Sequence, residues 1–326
     1  MIMKKFLLFV LLFSTSTFSW AGDGESNEVS AADIVNMINY MLGNTSSADA
    51  DVNGDGIVNI ADLVLTLNKL LSSSSPDGIE IKRVTTPVVE EITGTWCGWC
   101  PIGTVGLKRT KEIFGDKVIT LALHTSDIMG VSAFANVINM STSGGVPASM
   151  LNRKERDVYP HYYYLERYCN NALEEVADGY IGAVATWTDG SKTAFEVKTA
   201  AEFVQSSGIE YSIGIALVAD GLKGEGWQWA QSNYLSGDDR YADDPYMGYL
   251  TQLGDEITDI EYDHVAIAGW GVDYGIEGSK NQTSFSQTLS IADNTLVQDK
   301  DKLSVVVYLL NSSTGEIVNA TQVNIQ

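Results

Sequence analysis

Cysteine, histidine, proline and basic residues are all scarce in this chain. Its 326 residues include 3 Cys, 3 His and 6 Pro, and 20 Lys plus Arg stand against 42 Asp plus Glu, a formal charge of −22. Three cysteines are too few for a disulfide-stapled scaffold. A zinc site needs about four nitrogen or sulfur ligands, and there is no second Cys-x-x-Cys, only Cys169 and scattered histidines. A c-type haem would need His directly after Cys100, where Pro101 stands. No motif calls for an organic cofactor. The acidic excess argues against nucleic acid and anionic lipid surfaces as partners. Its ordinary consequence is solubility. Beyond the first twenty residues no stretch reaches the ~18 apolar residues of a membrane span, so no transmembrane segment is expected in the mature chain.

What is present begins with a leader. Met1-Ile2-Met3-Lys4-Lys5, an apolar run from Phe6 to Phe13, and Ser19-Trp20-Ala21 follow the order of a signal peptide over residues 1–21. Cleavage after Ala21 is expected, and no Cys lies near the cut to carry a lipid anchor. The protein is therefore expected to be exported, to the periplasm, the outer membrane surface or the outside.

Residues 30–43 and 59–72 repeat with a spacing of 29, Ala32-Asp33-Ile34-Val35 matching Ala61-Asp62-Leu63-Val64. Each copy places apolar residues at i, i+3, i+4 and i+7, one face of a short helix that needs a partner to bury it. Asp51, Asn53, Asp55, Asn59 and Asp62 put oxygen side chains at positions 1, 3, 5, 9 and 12 of a loop. Gly56 stands at position 6, and the carbonyl of Ile57 at position 7. Hard oxygen donors at this spacing suit Ca²⁺ rather than a transition metal. The corresponding loop from Gly22 to Asp33 has Gly22 and Gly24 where ligands 1 and 3 belong, so one calcium site is expected.

The chemistry-bearing motif is Cys97-Gly98-Trp99-Cys100-Pro101. Pro87 to Ile92 reads as a buried strand leading into it, and Thr104 to Phe114 as a helix leaving it, with Val105, Leu107 and Ile113 available for burial. Cys97 is thereby set at a helix N-terminus, where free N–H groups and the dipole favour a thiolate. The pair can exchange disulfides, Cys97 attacking and Cys100 resolving, or remain a closed structural ring. Cys169 shares an apolar helix face with Leu165 and Leu173 and reads as core. Ser72 to Gly78 reads as a flexible linker. Beyond Tyr180 come short β-rich runs punctuated by Gly, Asp and Asn, as in a β-sandwich.

The duplicated Asp-x-Asn-x-Asp-Gly pattern resembles a type I dockerin-like module over residues 22–72, which implies an EF-hand-like helical pair, bound calcium and a cohesin-like or surface partner. Trp96-Cys97-Gly98-Trp99-Cys100 resembles the Trp-Cys-Gly-Pro-Cys of thioredoxins, with Trp99 replacing proline. Gly145-Val146-Pro147-Ala148 is similar to the loop carrying that fold's cis-proline, and Glu91 stands where thioredoxins keep a buried acid. That likeness implies a thiol-disulfide oxidoreductase acting on exported protein thiols or disulfides. Pro147 would lie beside the sulfurs, and Glu91 would relay the proton of Cys100, unless Glu91 is simply an exposed acid at a strand end. Val89-Glu90-Glu91-Ile92-Thr93-Gly94 and the Cys100-Pro101 step resemble Omp28-related exported proteins, which implies the alternative of a non-enzymatic surface or outer-membrane binding protein. The dockerin likeness alone implies a tethered component of polysaccharide breakdown. The expected fold is multidomain α+β: the helical pair, a linker at 73–79, a thioredoxin-like α/β domain at 80–179 and a β-sandwich at 180–326.

Overall fold

The computed structural model describes residues 30–43, 50–53, 56–203 and 208–326. The leader, most of the Gly22–Asp33 loop, and Asp55 lie outside the described residues. The chain divides into two units, Met1–Leu70 and Leu71–Gln326.

In the first unit the repeat forms helices α1 (Ala31–Met41) and α2 (Ile60–Leu70). The N–H and Oγ of Ser30 both donate to the Asp33 carboxylate at 2.7 Å, closing the start of α1. Asp33 is thereby engaged as a helix cap. The helices meet where Thr66 Oγ1 lies 3.8 Å from the Met37 sulfur, and Met37, Asp62 and Thr66 are buried. Val35, Ile60, Val64 and Leu65 of the same helices stay exposed.

The second unit opens with β1 (Ser72–Ser74) paired antiparallel to β2 (Glu80–Lys82), so part of the Ser-rich stretch is one arm of a short hairpin. There follow β3 (Val88–Thr93), α3 (Pro101–Phe114), β4 (Ile119–His124), α4 (Ala135–Ile138), β5 (Ala148–Leu151), β6 (Glu155–Val158) and α5 (Tyr162–Leu173). Next come β7 (Gly179–Trp187), β8 (Ala194–Phe203), β9 (Tyr211–Ala219), β10 (Gln231–Ser232), β11 (Glu256–Ile257), β12 (Val265–Trp270), β13 (Ser284–Ser290), β14 (Leu303–Asn311) and β15 (Ile317–Asn324). Helix α3 starts three residues before the apolar pattern does, because Pro101 at its first position gives up an N–H that has no partner there anyway.

One sheet of eight strands runs β15-β14-β9-β12-β4-β3-β5-β6. Strands from residues 88–158 and from residues 211–324 therefore share it. The join is narrow: β12 meets β4 in parallel through Val265 opposite Ala122, reinforced by Ala122 N–H donating to His264 O at 2.7 Å. A second sheet, β13-β8-β7, packs on the long one. Phe195, Val197 and Ile181 from the short sheet share a core with Ile215, Leu217, Val305 and Val307 from the long one.

Strand β3 is buried along its whole length, as expected of a central strand covered on both faces. Val88 and Ile92 point into a core with Leu121, Phe134, Val137 and Tyr308. Val89 points the other way, with Leu107, Leu165 and Cys169 beneath the helices. Burial drives the thiol pKa of Cys169 up to about 12, which makes it an inert core residue. Val105 and Leu107 are buried, whereas Ile113, expected to be, is 42% exposed.

Glu90 lies on the Val88 face and is closed off by Arg153. Nε and Nη2 of Arg153 donate to the two carboxylate oxygens at 2.7 and 2.6 Å, with both side chains fully enclosed. Its Nη1 donates to the carbonyls of Val272, just past β12, and Gly315, between β14 and β15. Burial works against the guanidinium's charge, but Glu90's charge and hydrogen bonds prevail and hold its pKa above the ordinary value. Arg153→Met should cost about 3–5 kcal/mol in urea unfolding because it leaves a carboxylate buried without its cation. Adding Glu90→Leu should recover much of that loss; a single-variant loss under about 1 kcal/mol would contradict this role.

Candidate functional site

The candidate cation loop lies in the first unit. Asp51 Oδ2 accepts the Gly56 N–H at 2.8 Å. The fully buried Asp62 takes Val52 N–H and Asn53 N–H on Oδ1 at 2.9 and 3.1 Å, and Asn59 N–H on Oδ2 at 2.9 Å. These bonds, that from Asn59 first, hold its carboxyl below the usual range. Asn59 Nδ2 donates to Ile57 O at 3.1 Å, so positions 7 and 9 face each other within the loop. Every donor here is oxygen and Asp62 is held ionised, a chemistry that fits a hard cation. Asp51, Asn53, Ile57, Asn59 and Asp62 are the described residues that would hold it; Asp55 is outside them. Among the described residues no three His, Cys, Asp or Glu side chains gather as a metal cluster.

The dithiol lies in the second unit. Cys97 and Cys100 are joined by a disulfide with Cα atoms 5.3 Å apart. Strand β3 delivers the chain to Thr93, a turn through Gly94 reverses it, and Cys97 N–H donates to Gly94 O at 3.0 Å. Cys100 caps α3, its carbonyl accepting the Gly103 and Thr104 N–H groups. The peptide bond before Pro147 is cis, and Pro147 and Trp99 line one open groove of about 510 Å³ together with Tyr159, Arg240 and Tyr241.

Glu91 is not an exposed strand-end acid. It is 1% exposed, and its Oε1 has no hydrogen-bond partner. That oxygen lies against Gly103: a Cβ there would sit 1.9 Å from it. Burial raises its pKa to about 8, partly offset by Thr93, so the carboxyl is largely neutral at pH 7. Glu91, Thr93 and His124 line a cavity of about 260 Å³ behind α3. His124, the last residue of β4, is buried and meets Asp127 through Nδ1 at 2.6 Å.

Sequence reasoning missed the strap over the disulfide loop. Gln231 Nε2 donates to Cys97 O at 2.9 Å, Ser232 N–H to Thr95 O at 2.8 Å and Tyr234 N–H to Gly98 O at 2.8 Å. The Tyr234 ring covers Gly98, where a Cβ would come within 2.3 Å of it. Leu235, Met247 and Leu250 hold the strap to Ile102 and Val105 on α3. Beneath it Cys97 is 5% and Cys100 0% exposed. The one signal was compositional: Trp227, Trp229, Tyr234, Tyr241, Tyr246 and Tyr249 crowd into a stretch with no strand or helix period.

Residues 23–75 match the type I dockerin domain, so the N-terminal region is dockerin-like. No curated protein matches the chain in sequence. Among solved structures the chain is similar in fold to HBP35 of Porphyromonas gingivalis, at 14% identity and a TM-score of 0.55, covering 74% of this chain and 76% of that one. A protein of Agrobacterium tumefaciens gives 14% identity and a TM-score of 0.41 over 74% of this chain and 95% of that one. A domain of the outer membrane lipoprotein Omp28 from Porphyromonas gingivalis gives 14% and 0.26 over 47% and 91%. No helix among the described residues is long and apolar enough to cross a membrane.

A folded-state pKa near 8 against an ordinary value of 4.5 carries a signed consequence. Between those pH values the unfolded chain has lost a proton that folded Glu91 keeps, so stability falls as pH rises through the window and levels above it. Relative to Glu91→Gln, the native chain should lose up to about 5 kcal/mol between pH 4.5 and 8 in urea titrations. Parallel stability curves for the two proteins would contradict this.

Proposed function

We propose that this is an exported protein anchored through a calcium-binding, dockerin-like module, whose body is a thioredoxin-like unit that exchanges disulfides through Cys97 and Cys100. Two different observations support the two halves. The dockerin match at residues 23–75, with Asp51 and Asp62 turned into the loop by backbone N–H groups, supports attachment. The exposed Val35, Ile60, Val64 and Leu65 give a cohesin-like or other surface partner an apolar face to cover. The leader at residues 1–21 is the reason to place the protein in the periplasm or at the cell surface. Residues 22–72 would be this module, 80–179 the thioredoxin-like part and 180–326 the β-sandwich that extends its sheet.

The exchange reading is carried by one arrangement: a two-residue-spaced disulfide capping a helix, with a largely neutral carboxyl whose unpartnered Oε1 lies against the first turn of that helix. A structural ring has no use for a buried acid, which costs stability wherever it stands. In this reading Cys97 attacks, Cys100 resolves, Glu91 handles its proton, and Pro147 borders the groove a client would enter. A second reading is favoured by the strap and by the burial of both sulfurs: the ring stays closed, and the body is a binding protein presented at the surface.

Reduced full-length protein should reduce insulin disulfides, and Cys97→Ser should not. Tyr234→Ala, which trims a 62% exposed ring and leaves the Gly98-Trp99 dipeptide intact, should speed alkylation of reduced Cys97 at least severalfold. Inactivity of the native protein together with a ring that dithiothreitol leaves closed selects the binding reading. For the module, calorimetry should give one site per chain with an affinity on the order of 10⁻⁴–10⁻³ M, as for extracellular loops of this kind, and none after Asp62→Ala. Undiminished binding in that variant would contradict the assignment.

A further inference from the structure

Glu91 and His124 line one cavity from neighbouring strands. Parallel pairing sets Glu91 opposite Ala122 and Thr93 opposite His124. The two ionisable side chains therefore leave the same face of the sheet, roughly 8 Å apart at their backbones by ordinary strand spacing. Ala122, small, lines with them the cavity of about 260 Å³. That is room for several water molecules, with polar groups enough to hold them.

Asp127 decides which nitrogen of His124 carries a proton. Its carboxylate already accepts Thr95 N–H at 2.8 Å and Met129 N–H at 2.9 Å, so the 2.6 Å contact to His124 Nδ1 is made by an Nδ1–H donor. In the neutral ring Nε2 is then the acceptor, and it makes no protein hydrogen bond among the described residues. At the other end of the cavity stands Glu91, whose unpartnered Oε1 lies against Gly103. Gly103 is three residues after Cys100, on the same face of the helix.

We propose that Glu91, water in this cavity and the His124–Asp127 pair form a proton relay serving Cys100. The relay rests on the exchange reading above. In the step it serves, Cys97 has opened a client disulfide, leaving a Cys97–client mixed disulfide and a Cys100 thiol. The Cys100 proton passes to Glu91 Oε1 while the proton already on Glu91 leaves through water to His124 Nε2. The Cys100 sulfur attacks Cys97 Sγ, forming the Cys97–Cys100 bond and expelling the client sulfur as a thiolate. The client disulfide has gained two electrons, the protein dithiol has lost them, and the His124 proton goes to solvent or to the client thiolate. His124 acts through Glu91, and Asp127 positions it. The other ionisable groups facing this space, besides Tyr262, are Lys108 on α3, Tyr249, and Asp259, Glu261, Asp263 and His264 on the segment leading into β12.

The test is single-turnover oxidation of the reduced full-length protein by oxidised glutathione, in which release of the first glutathione reports attack by Cys97 and release of the second reports ring closure. His124→Gln should leave the first release unchanged and slow the second on the order of 100-fold at pH 7, with a flattened pH profile, as should Glu91→Gln. His264→Asn should follow the native protein. Nitrogen NMR of the native protein, which needs no variant to fold, should show the His124 proton on Nδ1. Native closure rates in His124→Gln, an equal effect of His264→Asn, or a proton on Nε2 would overturn the relay and leave the exchange reading standing. A native dithiol that glutathione never oxidises would overturn both.

Discussion

Two adjacent carboxyls on one fully buried strand meet opposite fates, and much of the second unit is arranged around that difference. Glu90 faces the core side of β3, where Arg153 neutralises it and also ties the ends of β12 and β14 to the sheet. Glu91, one residue on, faces α3 and receives no cation. A strand alternates its faces residue by residue, so one Glu-Glu step delivers an ion pair to one layer and a neutral acid to the other. The first fixes the architecture. The second is a liability in stability terms, one that the proposed exchange would put to use.

The disulfide loop is held from two directions. Strand β3 and α3 present it, and the strap at 231–234 takes up the carbonyls of Thr95, Cys97 and Gly98. Those carbonyls belong to the loop that carries the disulfide. Donors placed on them fix the loop and shade the sulfurs, so access to Cys97 depends on a segment about 130 residues away in sequence. The proposed chemistry and the binding alternative differ in whether that segment yields.

Much of this was readable from residue order where the determinants are local. Pro87 to Ile92, the Cys-Gly-Trp-Cys-Pro step and the run to Phe114 carry their own pattern, and strand, turn and helix fall there. Tyr211–Ala219 is a strand over the residues its β-branched run suggests. The loop from Asp51 to Asp62 is legible because calcium chemistry demands a fixed spacing. What depends on distant pairing was not legible. Nothing near Val265 says that it lies beside Ala122. Gln231 looks like any polar loop residue until its amide is found on Cys97 O. Arg153, in a left-handed turn with φ of 56°, gives no sign in sequence that it will be among the most buried side chains in the protein. The role proposed for His124 depends on Asp127 folding back onto it and on Glu91 sharing its cavity, neither of which residue order shows.

The relay proposed for Cys100 depends on Glu91 holding its proton at neutral pH, because burial disfavours the charged form more than Thr93 supports it. Infrared difference spectroscopy of the native protein against Glu91→Gln measures this directly. The account predicts the carbonyl band of a neutral, enclosed carboxylic acid at pH 7, fading as pH rises past about 8 and absent from the variant. A carboxylate spectrum at pH 6, with no acid band to lose, would contradict it.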